Sequence, residues 1–378
     1  MGVAAAAAIA GGIGTAIHSL PKHGVSIWKG APAKPGPVVA IDESRVPDRY
    51  RVTYQVDTGH PLGSSRSTQE LSVNRPFESR LITRDARGKH ELLNDETTAL
   101  GRQKIASTGQ SPQIFALPAD LAGTDVRLDV ALSALIAEGR VVERERRAVL
   151  GRPCQVYRSS GPLASGSLTK PTAKDFTDSC VDAAGLVLAE VQRSGGKVTR
   201  QEVATAVDEH PTFDTGLFTA GEPTIPGSRG GGTFKAVDPT LGPSGRAYAL
   251  DTPPAGFTFL GRYVDVSGTK TDAFGAPSPT RRAGFSDVWV RGRDVVILDQ
   301  GGVNVGPAPF TPDPSGQPVD LGLLGSGQTI TSTRLQVVRS LVAGGGNGAY
   351  VRVAGTIPVD QLAALARSLR VIPAPPGG

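Results

Sequence analysis

The residues able to do chemistry are few, and their neighbours do not suit the task. Ser167 and Lys170 have the Ser-x-x-Lys spacing in which a serine opening a helix loses its proton to a lysine one turn later. Here the pair lies between Gly166 and Pro171, and no Ser-Asp-Asn or Lys-Thr-Gly companion occurs. No Gly-x-Ser-x-Gly elbow occurs either; Gly242-Pro243-Ser244-Gly245 is one residue short. The glycine triplets at 230–232 and 344–346 lack the Lys-Ser/Thr that completes a phosphate loop, so they read as turns. Asp42-Glu43 and Asp95-Glu96 are adjacent carboxylates, but adjacent strand positions face opposite ways and cannot share a proton. His18, His23, His60, His90 and His210 show no metal-ligand spacing. The expectation is a protein that binds rather than transforms: not an enzyme, with no cofactor and no metal.

Cys154 and Cys180 are the remaining reactive pair, 26 residues apart at the starts of neighbouring strand candidates. They are read as a disulfide, against two free buried thiols in a cytosolic protein. The chain start independently suggests export, and oxidising compartments favour such bonds. A two-cysteine zinc site would need ligands that the histidines do not supply.

Those cysteines sit in residues 144–207, the most regular strand-like stretch. Around it the chain has 48 Gly, 30 Pro, 39% hydrophobic and 20% charged residues. That suits a folded, turn-rich protein of two parts. The net charge of +5 is dispersed, and acids interrupt even Arg144-Glu145-Arg146-Arg147. Nucleic acid is therefore not an expected partner.

In chain order, residues 1–21 hold an uncharged Ala/Gly/Ile core, and a helix over it spans about 29 Å. It reads as a transmembrane anchor or a signal-like segment, either of which puts the rest outside the cytoplasm, membrane-anchored or secreted. Residues 22–47, rich in Pro and Lys around Trp28, read as a spacer. Residues 48–220 read as an antiparallel β domain. Tyr50, Val52, Tyr54 and Val56 alternate with polar residues in its cleanest strand. Strands are expected at 69–73 and 78–83, with 84–89 as their turn, and at 97–107. Leu128, Ala131, Leu132, Leu135 and Ile136 have helical spacing, closed by Gly139. The run 180–191 reads as one strand, turned by Gly195-Gly196 into 197–207. Residues 221–250 read as a Gly/Pro linker. Residues 251–372 form a smaller β-rich half: a hairpin at 287–298, a strand or helix at 329–338, a strand at 349–354, and a helix opened by Pro358 with Leu362, Leu365, Ala366 and Leu369 on one face. Residues 373–378 form a loose tail.

The fold class expected is α+β, mainly β: a curved antiparallel sheet, or half-barrel, with a covering helix, plus a second β-rich half ending in a helix. The stretches 50–57, 128–139, 180–207 and the strand–Pro–helix ending at 351–369 carry a resemblance. They resemble the lipoprotein-carrier fold of the LolA and LppX type and its RseB/MucB-type relatives among envelope stress regulators. There is no lipobox cysteine, and the Gly/Pro stretch interrupts the middle. The resemblance implies a helical lid over an apolar cavity for lipid or lipoprotein acyl chains. It makes Tyr50, Val52, Tyr54, Val56, Leu132, Leu135 and Ile136 the expected lining. The alternative it implies is an envelope sensor binding a membrane-protein partner.

Overall fold

The computed structural model describes residues 39–60, 63–86, 91–116, 125–221, 233–237, 247–266, 284–302, 315–342 and 349–372. The anchor or signal-like segment, Trp28, most of the spacer, the 230–232 and 344–346 triplets and the 373–378 tail lie outside them. Among the described residues no helix is long and apolar enough to cross a membrane.

The first half begins with β1 (Arg49–His60), β2 (Gly63–Asn74), β3 (Glu78–Asp85), β4 (Leu92–Ala99), β5 (Arg102–Ser107) and β6 (Gln113–Ala116). Helix α1 (Leu128–Ala137) follows, then β7 (Val141–Val149), β8 (Arg152–Ser159), β9 (Phe176–Asp182), β10 (Val187–Ser194) and β11 (Lys197–Asp208). All eleven strands form one antiparallel sheet in the order β6-β5-β4-β3-β2-β1-β11-β10-β9-β8-β7. Its two ends do not pair, so it is an open sheet rather than a barrel. The β7 edge carries a bulge at Arg144 and Glu145 and a run of charges, both of which discourage pairing with another chain.

Several boundaries differ from the sequence expectation, because short polar turns leave little trace in periodicity. The β2–β3 turn is Arg75-Pro76-Phe77, while Arg84 and Asp85 end β3 and residues 87–89 lie outside the described residues. The 97–107 strand is two strands folded at Leu100-Gly101. The run 180–191 breaks at 183–186, where Asp182 caps the turn by accepting from the Ala184 and Leu186 amides. Residues 329–338 are likewise two strands. Gly139 closes α1 as expected, with φ of +68°.

The second half comprises β12 (Thr233–Val237), β13 (Ala247–Leu250), β14 (Thr258–Val266), β15 (Gly284–Arg291), β16 (Asp294–Gly302), β17 (Gln317–Asp320), β18 (Ser326–Thr331), β19 (Gln336–Val342) and β20 (Ala349–Gly355). Helix α2 (Val359–Arg367) and β21 (Leu369–Ile372) end it. Eight strands form a second antiparallel sheet, β12-β14-β15-β16-β20-β19-β18-β17, while β13 pairs only with β21. The Gly/Pro stretch therefore contributes strands, and its Tyr248 and Leu250 enter the core beside Trp289, Leu298 and Leu362. Leu369 starts β21 instead of ending the helix, as 3₁₀-like bonds from Ser368 tighten the last turn. Gly355 sits so close to the neighbouring strand that an added Cβ would lie 2.4 Å from the Val295 carbonyl oxygen. Gly355→Ala is expected to cost about 1–3 kcal/mol by forcing the strands apart, read as a lowered urea midpoint.

The two sheets touch through a further apolar cluster. Phe77, at the β2–β3 turn, packs with Val288, Val295, Ile297, Leu335 and Ala354 of the second sheet.

Candidate functional site

Alternation along β1 buries Tyr50, Val52, Tyr54 and Val56, which stay 5%, 1%, 8% and 1% exposed. They pack with Leu186, Leu188 and Ala204, and the Tyr54 hydroxyl donates to the Val187 carbonyl at 2.8 Å. Burial pushes both tyrosine phenols well above their usual range. Leu132 and Leu135 are buried and Ile136 partly so, but in a different cluster, with Val141, Tyr157, Leu163 and Val181. Register partners place Val56, Glu202, Glu190, Ser179 and Tyr157 in one row across β1, β11, β10, β9 and β8. Residues in such a row share a face. The helix thus covers the face that β1 presents, four strands away at its β7–β9 end. The seven expected lining residues are not brought together around one space.

The sheet that carries them is stapled, as expected, by Cys154–Cys180, with S–S 2.03 Å and Cα–Cα 5.4 Å. Ser167 and Lys170 lie exposed in the loop after β8. Asp95 takes two bonds from Arg80, which hold its carboxyl below the usual range, while Glu96 on the opposite face accepts from Gln103. Among the described residues no group of three or more His, Cys, Asp or Glu is placed to hold a metal ion.

What periodicity could not show is a set of arginines binding the halves together. Arg127 lies in a nearly sealed site, its guanidinium on Asp129 at 2.8 Å and on Asp294 of the second half at 3.2 Å. Burial alone would push Asp129 up, but Arg127 outweighs it and holds the carboxyl below its ordinary value. Arg140 donates to the Leu168 carbonyl at 2.7 Å and to that of Thr331, across the junction, at 2.8 Å. Arg293 donates to the Val46 and Glu43 carbonyls, both at 2.8 Å. Thr333 in the β18–β19 turn bonds the Leu163 carbonyl, and the Arg127 amide donates to the Thr333 carbonyl at 2.7 Å. Such contacts depend on tertiary neighbours, so no spacing rule reveals them.

At the mouth of this junction lies a polar cleft of about 1000 Å³. It is lined by the entry to β1 (residues 44–49), by Asn74 and Arg75, by residues 209–212 after β11, and by the β15–β16 turn at Gly292 and Arg293. Four arginines and two carboxylates line it. Arg75 is answered by Asp125 at 2.6 Å and Glu209 by Arg152. Asp48, 73% exposed, reaches Arg293 only at 4.0 Å. Arg45 and Arg49 are exposed, Arg49 touching the Asn74 amide oxygen at 3.1 Å, and His210 is exposed beside them. The balance left facing solvent is positive.

No family model matches the chain, and no curated protein matches it. Solved structures similar to it include the MucA/MucB complex of Pseudomonas aeruginosa, at 15% identity and a TM-score of 0.31, covering 88% of this chain and 96% of that one. A LolA superfamily protein from Nitrosomonas europaea is similar at 9% identity and a TM-score of 0.24, covering 48% and 92%. A putative outer membrane lipoprotein-sorting protein domain from Vibrio parahaemolyticus is similar at 9% identity and a TM-score of 0.24, covering 45% and 89%. These neighbours are of the LolA and MucB/RseB kinds, the group to which the sequence resemblance points.

Proposed function

We propose that this is an extracytoplasmic, non-catalytic recognition protein that holds an extended acidic segment of a partner, such as the exposed part of a membrane protein, in the cleft between its two sheets. The observation that carries this reading is the cleft itself: roomy, polar, lined by both halves, and left with Arg45 and Arg49 facing solvent against Asp48. The disulfide supports a place outside the cytosol.

Acyl-chain carriage draws on about 0.8 kcal/mol for each buried CH₂ and needs an unfilled apolar space. The residues expected to line such a space instead belong to two separate clusters of packed side chains. Val52, Val56 and Leu135 are at most 1% exposed, which leaves no surface there for a chain to cover.

The test is an anisotropy titration of the intact protein with labelled disordered peptides, one Glu/Ser-rich and one Lys/Ser-rich. The acidic peptide should bind more tightly, weaken with added salt as screening shortens the reach of the charges to about 8 Å at 0.15 M, and lose about tenfold in affinity to the variant carrying Arg45→Glu and Arg49→Glu. Equal binding of both peptides, or an unchanged affinity in that variant, would reject the cleft as the docking site.

A further inference from the structure

One buried carboxylate is used by none of the above. Glu190 on β10 is 7% exposed and points to the covered face of the first sheet. One of its oxygens, Oε1, accepts from the Ser179 hydroxyl at 2.6 Å and from the Leu163 backbone amide at 3.1 Å. Leu163 belongs to the 160–168 loop, the part of the first half into which the second half keys. Its carbonyl accepts from the Thr333 hydroxyl, and the next carbonyl, of Ala164, accepts from Arg334 at 2.9 Å. Leu163 therefore has its amide on Glu190 and its carbonyl on the other half of the molecule.

The direct cross-strand neighbour of Glu190 is Glu202. Arg200 on the same strand pairs with Glu202 and donates also to the Gln69 side chain, so it makes no ion pair with Glu190 and its pull on that carboxyl is the weakest of those acting there. The other groups facing the site do not supply a charge. Tyr54 and Tyr157, from β1 and β8, are pushed up by burial, Tyr157 to about 12, and stay neutral. The 160–168 loop has no titratable side chain, and Asp129, the acid of α1, is taken by Arg127.

We propose that Glu190 is a proton-operated latch on the joint between the two sheets: uncharged, it lets the 160–168 loop seat fully; ionised beside Glu202 without a cation of its own, it loosens that loop and the 332–335 turn keyed into it. Burial first, and Glu202 second, push the carboxyl from 4.5 up to about 7, against the pull of its two hydrogen bonds and, more weakly, of Arg200. The folded protein thus holds this proton more tightly than the unfolded chain. The stability Glu190 contributes is present below pH 4.5 and is lost as pH rises through about 7. The latch concerns the joint alone and does not depend on what the cleft holds.

The test is amide hydrogen exchange of the full chain at pH 6 and pH 8, corrected for intrinsic rates. Protection at Leu163 and across 332–335 should fall about tenfold over this interval, one pH unit beyond the midpoint. Glu190→Gln keeps the acceptor oxygen and cannot ionise, so it should remove the fall. Glu202→Gln removes the neighbouring charge that helps to hold the Glu190 carboxyl up, leaves Glu190 in place, and should move the fall to lower pH. Protection that changes equally in wild type and Glu190→Gln would overturn the proposal, as would a fall in Glu202→Gln at the wild-type pH.

Discussion

Replacing Arg127 by alanine should destabilise the protein by about 3–5 kcal/mol, the usual cost of breaking a buried ion pair from one side. Arg127 and Asp129 are each 4% exposed at the side chain, so removing the guanidinium strands a carboxylate that water cannot reach. It also deletes the bond to Asp294 and the 3.3 Å bond to the Arg293 carbonyl, both in the second half. The pH response identifies the cause. In the wild type Asp129 is held below its ordinary range, so its contribution is present above about pH 4 and lost as pH falls through its folded value. In Arg127→Ala burial, the largest influence on Asp129, is opposed only by the weaker pull of Arg75 and Arg293, and stability should instead fall as pH rises. Urea unfolding at pH 5 and pH 8 reads both effects. A loss equal at both pH values would mean that Arg127 serves by packing alone. Removing the acid too, in Arg127→Ala with Asp129→Ala, should recover part of the loss.

The second large effect is expected at the disulfide. Cys154 and Cys180 close a loop of 26 residues, and opening one of that size costs about 3–4 kcal/mol in the chain-entropy picture. The loop contains residues 160–168, which key the halves together, so its loss should be felt beyond the first sheet. Cys154→Ala with Cys180→Ala should lower the urea midpoint, and reduction of the wild type should reproduce the shift. If the double variant unfolds at the wild-type midpoint, the bond adds nothing to the joint.

What could be read from the chain was whatever depends on near neighbours. The alternation of β1, the helical spacing ended by Gly139, the Pro358 start of α2 and the cysteine pairing each follow from local rules, and each appears in the structure. Turns at Arg75-Pro76-Phe77 and Leu100-Gly101 escaped because one or two residues interrupt the pattern without changing its period. The position of α1 escaped for another reason. Its apolar stripe fits any apolar face, and only the strand order sends it to the β7–β9 end rather than over β1. The arginine joint and the cleft were the least legible. Arg75 meets Asp125 across 50 residues and Arg140 meets Thr331 across 191, separations at which sequence carries no signal. Six of the seven expected lining residues are buried and Ile136 is partly so, but a core residue and a cavity wall share one pattern, and only packing separates them.

The most direct test of the account is a hydrogen-exchange footprint of the intact protein taken separately with an acidic peptide and with a fatty acid. The peptide should protect residues 44–49 and 209–212 and the β15–β16 turn, and the fatty acid should change nothing. Protection of β1 and α1 by the fatty acid, with none at the cleft from the peptide, would contradict it.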